Sequence, residues 1–275
     1  MNPSGPGFNG AAASIAILGC RVDAIGREEA VERIAALANA TGASAAGADG
    51  ARGDGVVVTL GVEMVMEARR NPAFRDVVNH AAVVTCDTIG LLAASHLRGG
   101  PLRERVTGVE LVGDLAARSA SRGDVRLYLL GGARDTAQRA ADALRARYPG
   151  AIIDGARDGY FREDENDAVA AAIRASGANV LLAGLGFPKQ ELWLARHLAT
   201  TGCGVGIGIG GSLDVYAGNV ARAPAFFQRT GLEWAYRLAK EPRRWRRQLA
   251  LPRFALAAFG EALTQRKRGN TPSNP

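Results

Sequence analysis

The chain has 275 residues, 47% hydrophobic and 22% charged, a balance that excludes a disordered or low-complexity protein and leaves room for a substantial core. Its net charge of +7 is unevenly placed: Ala235 to Pro275 holds ten basic residues against Glu241 and Glu261, a net +8, which leaves −1 for the 234 residues before it. A neutral body with a cationic end suits an anionic partner.

The opening MNPSGPGFNG reads as a flexible terminus over 1–13. It lacks a basic n-region, and the apolar run Ala11 to Leu18 is too short for a signal peptide. SIAIL (14–18) predicts a strand and EEAVERIAALANA a helix, followed by a Gly/Ala/Ser/Asp loop over 41–55. VVVTL (56–60) predicts the next strand, with helices around Val62–Arg70 and Pro72–His80, then the strand AVVTC (82–86). RLYLL (126–130), AIID (151–154), VLLAG (180–184) and GVGIGI (204–209) complete the strands, each separated by one or two helices. The runs are continuously apolar rather than alternating, as strands buried on both faces should be. This predicts an α/β fold with a mostly parallel sheet covered by helices on both faces, Rossmann-like in outline, spanning 14–231. Residues 232–275 then read as a basic amphipathic helical appendage with a disordered end. Its best apolar run, LALPRFALAAFG, is interrupted by Pro252 and Arg253 and falls short of the roughly 18 apolar residues a bilayer span needs.

In open parallel sheets ligands bind beyond the carboxyl ends of the strands. Here those ends carry Thr59, Asp87, Gly131-Gly132, the turn Gly184–Glu191 and Gly210-Gly211-Ser212-Leu213-Asp214. In the Gly184–Glu191 turn the glycines permit a tight bend, Pro188 suits a first helical turn, and Lys189 and Gln190 stand beside free backbone N–H groups. That is an anion-binding end with a cation added, or an ordinary strand-to-helix turn. Gly131-Gly132 suits either phosphate approach or packing. No Walker A loop is present, and ILGCRVD stands after the first strand in place of a dinucleotide fingerprint, which disfavours a nicotinamide enzyme. Asp87 suits either a helix N-cap or a base at the crevice. Arg105, in LRERVTGVELV, is placed to reach a phosphate or to be solvated. No D-x-D occurs, His80, His96 and His197 stand singly on helical segments, and Glu163–Asp167 reads as an acidic first helical turn, so no metal or other cofactor is expected. Cys20, Cys86 and Cys203 lack metal or disulfide spacing and read as buried thiols of a cytoplasmic protein.

TLGVEMVMEAR, TCDTIGLL, RVTGVEL, DGYF, LGFPKQELW, IGGSLDVYAG, RAPAF and LEWAYRL…EPRRWRR, in this order from about Ser14 to Arg247, together resemble the WecG/TagA/CpsF family of bacterial glycosyltransferases. The resemblance implies metal-independent, inverting transfer of a sugar from a UDP donor to a polyprenyl-diphosphate-linked acceptor, in surface polysaccharide or cell-envelope synthesis. Members that are similar in motif use N-acetylmannosamine, its uronic acid or glucuronic acid. By position the family's base falls on Asp87, its donor-side threonine on Thr59, its phosphate-side arginine on Arg105 and its glutamine on Gln190. Gly131, Gly132, Gly186, Lys189, Glu191, Gly210, Gly211, Asp214 and Arg222 then line the substrate, and the tail arginines brought over the site are Arg237, Arg244 and Arg247. Many members carry Asn-Pro where this chain has Gly61-Val62, so the usual asparagine contact is missing.

A polyprenyl acceptor gives the tail a purpose. Each basic residue near an anionic leaflet contributes ~1 kcal/mol, and Trp245 with an apolar face around Leu249, Phe254, Leu256 and Phe259 adds an insertion signal. The expected location is peripheral on the inner face of the cytoplasmic membrane, with a homo-oligomer possible. A nucleic-acid-binding module or a structural α/β protein with a solvated basic tail is the rival; the neutral body and polar crevice argue against nucleic acid.

Overall fold

The computed structural model describes residues 13–40, 55–224, 226, 227, 235, 236, 238 and 249–269, with side chains through Thr264 in the last segment. Six strands form one parallel sheet in the order β4-β3-β8-β7-β5-β6, made of β3 (Val56–Leu60), β4 (Val83–Cys86), β5 (Leu127–Gly131), β6 (Ile153–Arg157), β7 (Val180–Gly184) and β8 (Val205–Gly208). Successive side chains on a strand face opposite ways, and here both ways lead into core. Val56, Val58, Leu60, Leu181 and Ala183 enter one apolar cluster, while Val57, Val180 and Leu182 enter the other. The continuous apolar runs follow from this double covering.

The first cluster is closed by α2 (Val62–Ala68), α3 (Pro72–His80), α4 (Ile89–Leu97), α7 (Asn166–Ser176) and α8 (Lys189–Thr201). The second is closed by α1 (Arg27–Asn39), α5 (Gly108–Arg122), α6 (Thr136–Arg147) and α9 (Ser212–Tyr216). Cys20, Cys86 and Cys203 are all buried free thiols. The strands VVVTL and VLLAG end where the sequence predicts; β6 begins two residues later than AIID would place it, and β5 reaches Gly131.

The first predicted strand differs. Ser14–Ile17 (β1) pairs antiparallel with Cys20–Asp23 (β2) in a separate hairpin instead of joining the parallel sheet, with Leu18 and Gly19 turning at φ +50° and +84°. The hairpin covers the exposed side of β4, the first strand in the sheet order. Asp23 Oδ2 accepts the Val84 N–H at 2.8 Å, while Arg21 pairs with Asp23 and donates to the carbonyls of Asn79 and Ala81. At the other end of β4 the Val106 N–H donates to the Cys86 carbonyl at 2.8 Å, and the Thr85 hydroxyl donates to the Val106 carbonyl at 2.9 Å. A strand with unpaired N–H and C=O groups invites mispairing, and these contacts close it.

The C-terminal helix (Ala250–Gly269) docks against α2 and α4. Phe254 and Ala258 belong to the first core cluster and Ala262 is buried beside them. Glu261 accepts the Leu18 N–H at 3.2 Å and pairs with Arg98 at 2.9 Å. The apolar face expected to insert into a membrane is therefore divided. Phe254 points into the body, packed in the first core cluster beside Gly90 of α4, whereas Leu249, Leu256 and Phe259 are exposed. No helix among the described residues is long and apolar enough to cross a membrane.

Candidate active site at the carboxyl ends of the strands

Thr59, Asp87, Gly131-Gly132, Gly186, Lys189-Gln190-Glu191 and Gly210-Gly211 all fall at the carboxyl ends of five neighbouring strands, β4, β3, β8, β7 and β5. Asp87 follows β4, and its N–H donates to the Leu60 carbonyl at 3.0 Å, which anchors it beside the end of β3. It is not the N-cap of α4. That position belongs to Thr88, which makes no side-chain capping bond, so the capping role considered for Asp87 is not the one it has. The Val106 and Thr85 bonds that close β4 also bring the Arg105 segment alongside it. The Cys86 thiol senses the result: burial pushes it up to about 12, Asp87 adds to the rise and Arg105 opposes it. A half-buried carboxylate and a half-buried guanidinium thus flank one strand end.

The glycine turns form the opposite wall. At Gly131, φ is +146° and a Cβ would lie 2.4 Å from the Gly184 carbonyl oxygen, so close approach of β5 and β7 already requires glycine there. The Gly132 N–H donates to Gly184 O at 3.2 Å, and the Gly159 N–H donates to Gly132 O at 2.9 Å, which stitches the loop after β6 into the same wall. Lys189 opens α8 with an exposed side chain whose Nζ stands 5.1 Å from the Phe161 ring centroid, with Arg157 at 5.9 Å from the same ring.

Three polar residues expected to meet substrate are buried. The Thr59 hydroxyl donates to the Gly208 carbonyl at 2.8 Å. Gln190 accepts the Gly186 and Gly210 N–H groups on Oε1, each at 3.2 Å, and donates through Nε2 to Glu191 Oε1 at 2.6 Å. Glu191 has no solvent exposure, and burial pushes its carboxyl up to about 7 against bonds from Gln190 and its own backbone. Asp214, on α9, accepts from Asn219 at 3.0 Å. Arg222 pairs with Glu110 at 3.1 Å, and Glu110 completes a capping box with Thr107 at the start of α5. Burial raises the Glu110 carboxyl, but Thr107, Arg222 and Arg27 outweigh it and leave the group below its usual value. Arg237, Arg244 and Arg247 lie outside the described residues, as do Lys240, Arg243, Trp245 and Arg246.

Two residues at the crevice carried no assignment from sequence. The Thr88 hydroxyl is buried with no hydrogen-bond partner among the described residues. Tyr160, in DGYF, is 80% exposed on the loop stitched to Gly132. An exposed tyrosine between a glycine turn and a lysine was the available signal. Beside the crevice, a cleft of about 470 Å³ opens between α2, the β7–α8 turn and the start of the C-terminal helix, lined in part by Glu63, Met66, Phe187, Ala250 and Arg253. Among the described residues no three His, Cys, Asp or Glu side chains gather into a group that could hold a metal ion.

A carboxylate, cations and glycine turns gathered at the carboxyl edge of a parallel sheet define an α/β protein with a polar crevice where such folds bind their ligands. The model of the Glycosyl transferase WecG/TagA/CpsF family matches residues 15–268. The chain is 36% identical over 203 residues, 74% of its length and 78% of the relative's, to an N-acetylglucosaminyldiphosphoundecaprenol N-acetyl-beta-D-mannosaminyltransferase of Bacillus spizizenii (strain ATCC 23059 / NRRL B-14472 / W23). It is 32% identical over 206 residues, 75% of its length and 79% of the relative's, to a protein of the same name from Bacillus subtilis (strain 168). The chain belongs to the WecG/TagA/CpsF family. It is a glycosyltransferase.

Proposed function

We propose that the enzyme transfers N-acetylmannosamine, or a sugar closely like it, from a UDP donor to a polyprenyl-diphosphate-linked saccharide, with inversion and without a metal. The acceptor and sugar follow the names of the two Bacillus relatives. The observation that carries the chemistry is the placement of Asp87 and the Arg105 segment together at the end of β4, where both charges act on Cys86, on the same sheet edge as the glycine turns. A sugar hydroxyl is a weak nucleophile. Asp87 takes its proton as the oxygen attacks the anomeric carbon, a contribution of ~10²–10⁴-fold in rate. The bond to the UDP oxygen breaks as the new one forms, and the departing diphosphate gathers negative charge. Arg105 and Lys189 supply the compensating positive charge. Tyr160 offers its exposed face to the nucleobase. The neighbouring cleft, with Met66, Phe187 and Ala250 apolar and with Arg69, Arg70 and Arg253 outnumbering Glu63 and Glu67, suits the lipid diphosphate of the acceptor.

The exposed Leu249, Leu256 and Phe259 beside a cationic tail support a peripheral position on an anionic membrane. The deciding experiment incubates the full chain with a panel of UDP-sugars and a short-chain lipid diphosphate saccharide, in buffer containing EDTA, and reads products by mass spectrometry and anomeric NMR. Transfer from one UDP-sugar with inverted configuration is expected, and Asp87→Ala removes it while the circular dichroism spectrum is unchanged. Near-normal turnover in that variant would sink the base assignment; loss of transfer in EDTA would sink the metal-independent reading.

A further inference from the structure

Glu191 is a buried carboxylate with no direct route to a substrate. It has 0% exposure, its Oε1 accepts from Gln190 Nε2 at 2.6 Å, and its Oε2 meets no hydrogen-bond donor among the described residues. The pair lies flat on β8. A Cβ at Gly208 would stand 2.6 Å from Glu191 Oε1 and 2.8 Å from Gln190 Nε2, so the strand is bare where the pair crosses it. Gln190 Oε1 then bridges two turns that are far apart in sequence, accepting from Gly186 after β7 and from Gly210 after β8.

A side-chain amide is nearly symmetric in shape, and its two orientations are told apart only by their partners. At Gln190 one end faces two backbone donors and the other faces Glu191. Reversing the amide would aim N–H at N–H and oxygen at carboxylate. Glu191 and the two backbone donors therefore select the same orientation, the one that joins the two turns. We propose that Glu191 is a positioning residue: by fixing the Gln190 amide it holds the Gly186 and Gly210 turns at the spacing a nucleoside diphosphate requires. This assignment rests on the donor proposed above, and it replaces direct substrate contact as the role of Glu191.

The experiment uses the full chain with Glu191→Gln, which keeps an acceptor oxygen for Gln190 Nε2, and Glu191→Leu, which removes it at similar volume. UDP is the probe for calorimetry, amide exchange at Gly186 and Gly210 is read by NMR, and thermal melting is recorded for each variant. Glu191→Gln should bind UDP within about threefold of the parent. Glu191→Leu should bind at least ~10-fold more weakly and exchange the two glycine amides at least ~10-fold faster, with a melting temperature no lower than the parent's, because the buried carboxylate it removes is costly. Unchanged binding and exchange in Glu191→Leu overturns the proposal. So does a loss of binding accompanied by a fall in melting temperature without faster exchange at the two glycines, which marks a merely structural carboxylate. An equal loss in Glu191→Gln also overturns it, by showing that charge matters rather than the acceptor. If the parent itself fails to bind UDP, the donor reading falls, and the two glycine amides alone still decide whether Glu191 acts through Gln190.

Discussion

Replacing Phe254 with alanine tests how the C-terminal helix is held. Of the helix side chains buried against the body, Phe254 at 4% exposure is the large one; Ala258 and Ala262 contribute little area. The Arg98–Glu261 pair adds a partly exposed ion pair, a class worth ~0–1 kcal/mol. Removing a buried phenyl ring costs ~3–5 kcal/mol, a large share of what docks the helix beside the partly buried Leu251, while the two core clusters of the sheet keep their own contacts. The helix should then open locally without global unfolding. At tenfold per ~1.4 kcal/mol, amide exchange over 251–264 should accelerate by roughly a hundredfold to a few thousandfold. Hydrogen-exchange mass spectrometry measures this against the sheet peptides, with Leu256→Ala as control, since Leu256 is 77% exposed and should change nothing. If exchange over 251–264 is unaltered, or if the sheet loses protection in parallel, the helix is not a separately docked element and the reasoning fails.

Stability should fall as pH rises through neutrality because of Glu191. Its folded pKa of about 7 lies above its ordinary 4.5, so the folded state keeps a proton that the unfolded chain releases. The stabilising difference is complete below ~4.5 and lost above ~7, up to about 3 kcal/mol. Melting temperature against pH should therefore slope downward between pH 5 and 8 in the parent and flatten in Glu191→Gln; parallel curves would refute the linkage. Asp23→Ala should destabilise by ~1–3 kcal/mol, because the buried Val84 N–H loses its acceptor, and urea denaturation measures it. Lys189→Ala should weaken UDP binding, with a shallower salt dependence than the parent's in calorimetry at two ionic strengths; an unchanged salt slope would place Lys189 outside the phosphate site.

Much of this fold was legible because burial on both faces leaves a simple trace. VVVTL and VLLAG are runs without alternation, apolar but for Thr59, and such runs suit a doubly covered sheet. SIAIL carries the same trace, yet its partner is CRVD two residues later, and short-range pairing through Leu18-Gly19 decided its fate. Asp87 was legible as a crevice residue because it ends an apolar strand, but its neighbour Thr88 capping α4 was not, since either residue type suits that position. Gln190 and Glu191 read from the sequence as substrate-facing residues at a helix start. They are buried because Gly208 and the two glycine turns make room for them, a fit between distant segments that no local pattern reports. Phe254 misled for a related reason: the apolar residues of an amphipathic helix do not announce which of them faces protein.

The closure of β4 has a consequence for how this enzyme can change. Thr85 and Cys86 hold the Val106 segment against the strand, and the same bonds keep Arg105 at the strand end that Asp87 follows. A substitution that loosens this seam degrades solubility and chemistry together, so selection for either preserves both. Conversely, a redesign that seeks a different acceptor by reshaping the 100–107 loop works against the sheet's own edge protection. Substrate range is more readily altered from the far wall, where Tyr160 and Lys189 stand exposed and carry none of the strand's pairing.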